Sequence, residues 1–233
     1  VTVTAYIVTG LLLFAYYGVP FAYMRWLRSR ARTRCRKNGD VILTFDDGPS
    51  DTMSGRILDC LDKHEIHAAH FVTTSNVKNR EDKIRRAAAR GDIVGCHGDK
   101  HIHHWKSAPW AGIRDIRAGW ARLHEITGSK TTRVPFRPPY GKLNLLSLVF
   151  LLLHRTPIAV WTIDSKDTWA QLTESAEQAA ERVRSEGGGI VLLHDYDRED
   201  SAVNDFVIAV VESLAANPVP GGKIANPTVA TFR

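Results

Sequence analysis

Two adjacent carboxylates, Asp46 and Asp47, follow the apolar run Val41-Ile42-Leu43 and stand just ahead of a Gly48-Pro49 turn. Like charges this close resist joint ionisation. A bound cation removes that cost and lets the two acids divide the work, one as a ligand and the other as a base on water. Asp, Gly and Pro also build ordinary acidic surface turns, so the pair needs partners elsewhere in the chain. His97-Gly98-Asp99-Lys100-His101 offers two imidazoles four residues apart. A helical turn or a compact loop can bring both onto one metal, and two His with a carboxylate make a common catalytic zinc site. Asp99 is a further possible ligand; His103 and His104 follow directly, as they would in a His-rich surface loop.

Three further stretches carry chemistry. Arg137-Pro138-Pro139-Tyr140-Gly141 is a rigid turn that begins with an arginine. A guanidinium holds a nearby carboxylate ionised and oriented, and a rigid turn can present a backbone N–H to an oxyanion. Trp161-Thr162-Ile163-Asp164-Ser165-Lys166-Asp167-Thr168-Trp169 sets acids between two tryptophans, which suits the apolar faces and hydroxyls of a sugar. Ile190-Val191-Leu192-Leu193-His194-Asp195 reads as a buried strand ending in His. Beside an acid, that His can serve as a general acid with a raised pKa.

These residues need elements to position them. Strands are expected at 41–45, 68–73, 93–96, 133–137, 158–163 and 189–194. Helices are expected at 54–64, 82–90, 110–127, 144–154, 175–186 and 203–216. Such alternation predicts an α/β fold with a parallel sheet, open or closed into a barrel. Asp46, Asp47, His97, Arg137, Asp164, Asp167 and His194 all fall at or just after strand ends, where the active sites of parallel α/β folds form.

In this order the pieces resemble the polysaccharide deacetylases of carbohydrate esterase family 4, also called the NodB-homology domain. The resemblance runs from about Asp40 to the last helix and covers five motifs. It implies a deformed (β/α) barrel, usually of seven strands, and metal-dependent removal of N-acetyl groups from amino sugars. Carried over, Asp46 corresponds to the catalytic base, and Asp47, His97 and His101 to the ligands of a divalent ion, usually Zn2+. Arg137 corresponds to the residue that positions the base. Tyr140 corresponds to the oxyanion donor and part of the acetyl pocket. Asp167 and His194 correspond to the acid pair, with Leu192 lining the methyl pocket and Trp169 the sugar wall. Two positions depart from the family pattern: Gly98 replaces a usual Ser or Thr, and Thr168 intervenes before Trp169. A non-catalytic glycan-binding relative, or a deacylase or deformylase of another sugar amide, are the alternative functions.

The chain has 233 residues and a net charge of +6. The charge is uneven. Residues 1–24 carry none; residues 25–37 hold Arg25, Arg28, Arg30, Arg32, Arg34, Arg36 and Lys37 without an acid. The remainder has 24 basic against 25 acidic residues, which argues against a nucleic-acid partner. Three units are therefore expected: a transmembrane anchor over 1–24, a basic juxtamembrane linker over 25–38 and a catalytic domain over 39–233. Tyr16, Tyr17, Tyr23 and Trp26 sit where interfacial aromatics would lie, and Pro20 is expected to kink or end the helix. A cleavable signal would carry its basic residues ahead of the apolar run. The basic cluster favours a cytoplasmic catalytic domain, although an upstream span would reverse that orientation. Cys35, Cys60 and Cys96 form no disulfide or zinc-finger pattern. Helix 144–154 is unusually apolar, either as a buried helix or as a membrane-facing rim. The expected partners are an N-acetylated glycan or a lipid-linked amino sugar, together with the membrane.

Overall fold

A computed structural model describes residues 2–128, 134–168 and 172–232. Its first elements are helix α1 (Thr2–Leu13), a π-helical turn (Phe14–Gly18) and helix α2 (Val19–Asn38). Pro20 does not end the helix. The wide turn just before it absorbs the missing hydrogen bond, a usual device next to a proline. Gly39, with φ 66°, then stops α2 in the left-handed region, where glycine carries no Cβ penalty.

Strand β1 (Asp40–Asp46) is buried at every position but the first, as a parallel strand covered on both faces should be. The chain continues through α3 (Met53–Lys63), β2 (Ala69–Val72), α4 (Glu81–Ala89), β3 (Ile93–Cys96), α5 (Ala111–Thr127), α6 (Leu145–Leu153) and β4 (Ile163–Asp164). It closes with α7 (Ala176–Ser185), β5 (Gly189–His194), α8 (Ser201–Ala216) and β6 (Lys223–Ile224). All pairings are parallel, in the order β3-β2-β1-β5-β4, with β6 joining the start of β1. Single bridges extend the path from Cys96 to Phe136 and from Phe136 to Ile158. The expected strands 133–137 and 158–163 thus shrink to these bridges and the two-residue β4. Pro135, Pro138 and Pro157 explain the loss, because each lacks a ladder donor. Arg133 lies outside the described residues.

Alternation along β1 divides the core. Val41, Leu43 and Phe45 pack with α3, α7 and α8 through Met53, Ile57, Leu61, Val183, Val207, Val211 and Leu214. Ile42 and Ile190 belong instead to a second cluster with Met24, Leu27, Ala31 and Cys35 of α2. Residues 25–38 are therefore not a solvated linker. They form a helix whose buried residues recur at three- and four-residue spacing, which makes one apolar stripe. Several of its arginines also bond to the domain. Arg32 Nη2 donates to the Thr162 carbonyl at 2.9 Å, Arg36 Nε to that of Glu186 at 2.8 Å, and Arg34 to that of Thr231. Among the described residues one helix, Val3–Asn38, is long and apolar enough to cross a membrane.

Candidate active site

The site lies at the carboxyl ends of β1, β3 and β5, as expected. The register places Asp46 opposite His194 and Thr44 opposite Leu192, so these residues share one stretch of the rim. The two adjacent acids diverge because the strand geometry breaks between them: Asp47 has φ 73°, and Asn76 Nδ2 pins its carbonyl at 2.9 Å. Asp46 thus stays in the strand while Asp47 turns toward the histidine loop.

Asp46 is nearly fully buried and Arg137 completely so. Arg137 Nη1 donates to Asp46 Oδ1 at 2.7 Å and to Thr44 Oγ1 at 2.8 Å, and Nη2 donates to the Val160 carbonyl at 3.2 Å. The guanidinium carbon sits 4.1 Å from the centre of the Phe71 ring, a cation–π contact that fixes its plane. Burial pushes the Asp46 carboxyl up, and the Arg137 charge opposes that rise. The arginine thus favours the ionised form of a desolvated acid.

His97 Nδ1 donates to the Arg137 carbonyl at 2.7 Å. That bond fixes the tautomer and leaves Nε2 as the acceptor, 3.6 Å from Asp47 Oδ1. His101 Nε2 lies 3.3 Å from the same oxygen. The donor atoms of Asp47, His97 and His101 all fall within 4.8 Å of one another, which a single divalent ion can bridge. Burial pushes His97 down to about 3, against the pull of Asp47, so the ring is neutral and has no proton to lose on binding a cation. Asp99 does not join this group; its Oδ1 accepts from Thr74 Oγ1 at 2.8 Å.

Opposite stands the second pair. His194 Nδ1 is 2.7 Å from Asp167 Oδ1, and the His194 backbone N–H donates to Asp167 Oδ2 at 2.8 Å. Burial pulls the His194 ring down, but the Asp167 bond and charge, with Asp46 and Asp47, outweigh it and hold the ring up at about 9. Leu192 is buried two residues before His194 on the same strand face. Tyr140 has φ 57° and a half-exposed ring, 4.7 Å from His101 and stacked 4.9 Å from His103. Below it, a Cβ on Gly141 would meet the Trp161 ring at 2.6 Å. Trp169 lies outside the described residues.

The sequence reading missed Asp115. This buried acid on α5 accepts the Lys100 N–H at 2.8 Å and so ties down the histidine loop. It also explains the departure at Gly98, which has φ +89°: a Cβ there would lie 2.1 Å from Asp115 Oδ2. The signal was present as an acid on an otherwise apolar and small face, Gly112, Ile116, Gly119, Leu123 and Ile126. Gly98→Ser, which restores the family's usual residue, should therefore weaken this protein. Left-handed strain costs about 1–3 kcal/mol, and the clash adds to it. Thermal melting should show a lower Tm; an unchanged melt would refute this account of the loop.

Comparison with known proteins adds three relatives. The family pattern described as polysaccharide deacetylase matches residues 33–151. The chain is 31% identical over 156 residues to a chitooligosaccharide deacetylase of Rhizobium leguminosarum bv. trifolii, covering 67% of this chain and 71% of that one. It is 28% identical over 180 residues to a peptidoglycan-N-acetylglucosamine deacetylase of Listeria monocytogenes, covering 77% of this chain but 37% of the relative's length. A chitin deacetylase structure from Colletotrichum lindemuthianum superposes with a TM-score of 0.68 at 26% identity, covering 81% of this chain and 84% of that one. With its motifs assembled on one rim and its pattern matched over more than half its length, the chain belongs to the polysaccharide deacetylase family.

Proposed function

We propose that the chain is a membrane-anchored, metal-dependent hydrolase that removes N-acetyl groups from amino sugars of a glycan or a lipid-linked glycan precursor. The observation that carries this reading is the Asp46–Arg137 pair at 2.7 Å on the same rim as the Asp47/His97/His101 group and the His194–Asp167 pair. The relatives' names, which concern chitooligosaccharide and peptidoglycan, support the substrate class. The catalytic unit includes α2 together with residues 39–233, the bridged strand path forms the wall of a deformed barrel, and the apolar helix before α2 is the anchor.

Two imidazoles and a carboxylate fit zinc. When bound, such an ion supplies Lewis acidity toward the amide carbonyl and lowers the pKa of water. Asp46, held by Arg137, takes the proton of the attacking water. The Tyr140 N–H donates to the developing oxyanion. His194, oriented by Asp167, gives its proton to the departing amine. Acetate and a free amino sugar are the products.

The decisive assay is acetate release by the chelated and zinc-reloaded full chain from chitooligosaccharide, peptidoglycan and a lipid-linked amino sugar. Metal-restored acetate release is expected; no acetate from any of the three after reloading would sink the reading. A pH profile gives a second check. The general acid must be protonated, and His194 is held at about 9. Activity should therefore fall about tenfold per pH unit above that value, and fall again on the acid side as the raised Asp46 carboxyl takes up a proton. Asp167→Asn removes the negative charge that favours the imidazolium of His194 and replaces the charged hydrogen bond with a neutral one, so the alkaline limb should move to lower pH. A limb that stays in place would remove His194 from the acid role.

A further inference from the structure

The outer face of α6 is covered by nothing in the described chain. Leu146, Val149, Leu152 and Leu153 are between 43% and 77% exposed, whereas Leu148, Phe150 and Leu151 behind them are buried. A contiguous apolar face of this kind marks an interaction site. What adjoins it identifies the partner. α6 packs against the π-helical turn and α2. There the exposed Val19, Phe21 and Trp26 continue the apolar surface of α1 past the point where the domain begins. Between α2 and α6 runs an open groove lined by Tyr23, Trp26, Leu152 and Phe232, with Arg30 and Arg155 at its edge. Arg25, Arg30 and Arg155 are exposed. Apolar side chains bordered by arginine, with Trp and Tyr between them, form the pattern of an interfacial membrane surface.

The same surface reaches the site. The Tyr17 ring lies 5.5 Å from that of Trp105, and Lys142 Nζ lies 5.6 Å from the Phe21 ring and 4.6 Å from that of Trp105. Trp105 follows the loop that carries His101 and His103, and Lys142 follows the Tyr140 turn.

We propose that the outer face of α6, with the exposed side of Val19–Trp26, is embedded in the headgroup region of an anionic bilayer, so that the site opens at the membrane surface. This rests on the anchor reading above and deepens it: the substrate class is an N-acylated amino sugar carried on a lipid phosphate. The exposed apolar residues of α2 stand on the same helix as α1 and share a groove with α6 through Trp26 and Leu152, which singles out lipid over a second copy of the chain as the covering partner.

The test uses the full chain in nanodiscs of phosphatidylglycerol and phosphatidylcholine, one copy per disc. An environment-sensitive dye is attached to Val149→Cys, Leu153→Cys, the anchor variant Leu11→Cys and the exposed control Asp205→Cys on α8, which packs on the opposite face of β1 from α2 and α6. The native thiols are buried. Blue-shifted emission and quenching by doxyl lipids are expected at 149 and 153, as at 11, and not at 205. Quenching at 11 without quenching at 149 and 153 overturns the docking and leaves the anchor standing, a second copy then being the candidate cover. Absence of quenching at 11 overturns the anchor and the docking together. Variants are compared only where their melting matches the parent; should a cysteine at 149 or 153 fail to fold, Leu146→Cys reads the same face.

Discussion

Asp46→Asn should keep its metal and lose turnover, while Asp47→Asn should lose its metal first. The two neighbours have the same side chain and differ only in what the backbone does with them. Asp47, turned out of the strand at φ 73°, lies 3.3 Å from His101 Nε2 and 3.6 Å from His97 Nε2. Asp46 remains on the strand face, 2.7 Å from Arg137. An amide at 46 can still accept the Arg137 hydrogen bond, but it cannot take a proton at working pH. Loss of a general base costs about 10²–10⁴-fold in rate. The change also leaves a buried guanidinium without its counter-charge, a disruption that costs roughly 3–5 kcal/mol for a broken buried pair, less here because the hydrogen bond survives. Zinc content by mass spectrometry, zinc affinity by calorimetry and acetate release separate the two variants. An Asp46→Asn protein that comes out metal-free, or an Asp47→Asn protein that binds zinc as tightly as its parent, would show that the roles are divided wrongly.

The second large effect concerns truncation. Removing residues 1–18 should leave a folded domain, whereas removing 1–38 should abolish cooperative folding. Met24, Leu27, Ala31 and Cys35 of α2 are each at most 8% exposed and belong to the cluster that also holds Ile42 and Ile190. Burying a large aliphatic side chain contributes about 1.5–3 kcal/mol. The lost α2 contacts together approach the roughly 5–15 kcal/mol of net stability a domain has. Removing α2 would also uncover the Thr162, Glu186 and Thr231 carbonyls that its arginines satisfy. Thermal melts of the two truncations by circular dichroism decide the matter. A 39–233 fragment that melts cooperatively near the parent Tm would refute it.

The site was more legible than its supports. Asp46, Asp47, His97, Arg137, Asp167 and His194 stand at or just after expected strand ends in stretches of unusual residue type, His101 and Tyr140 follow in the same stretches, and the fold brings them to one rim. β3 and β5 match the expected bounds residue for residue, because buried parallel strands flanked by Gly or Asp are strongly marked. The expected 133–137 and 158–163 strands failed where prolines remove donors while the apolar pattern persists. The α2 stripe was hidden by charge: seven basic residues over 25–37 read as a juxtamembrane linker, although Met24, Leu27, Ala31 and Cys35 keep helical spacing between them. Asp115 could not be assigned without the structure, since its partner is a backbone N–H fifteen residues away.

The helix that leaves the membrane in the proposed reading is also the helix that packs into the core against β1 and β5, and this sets a mechanical rule. A catalytic domain on a leash sweeps a hemisphere and can cut at many heights. Here α2 is part of the domain core, so the reacting centre sits at one altitude above the lipid. Lengthening the chain near Asn38 would break the core instead of extending the reach. Only insertions ahead of Val19 could raise or lower the cutting plane, and each residue added there as helix would shift it by about 1.5 Å while rotating the whole enzyme by roughly 100° about the helix axis.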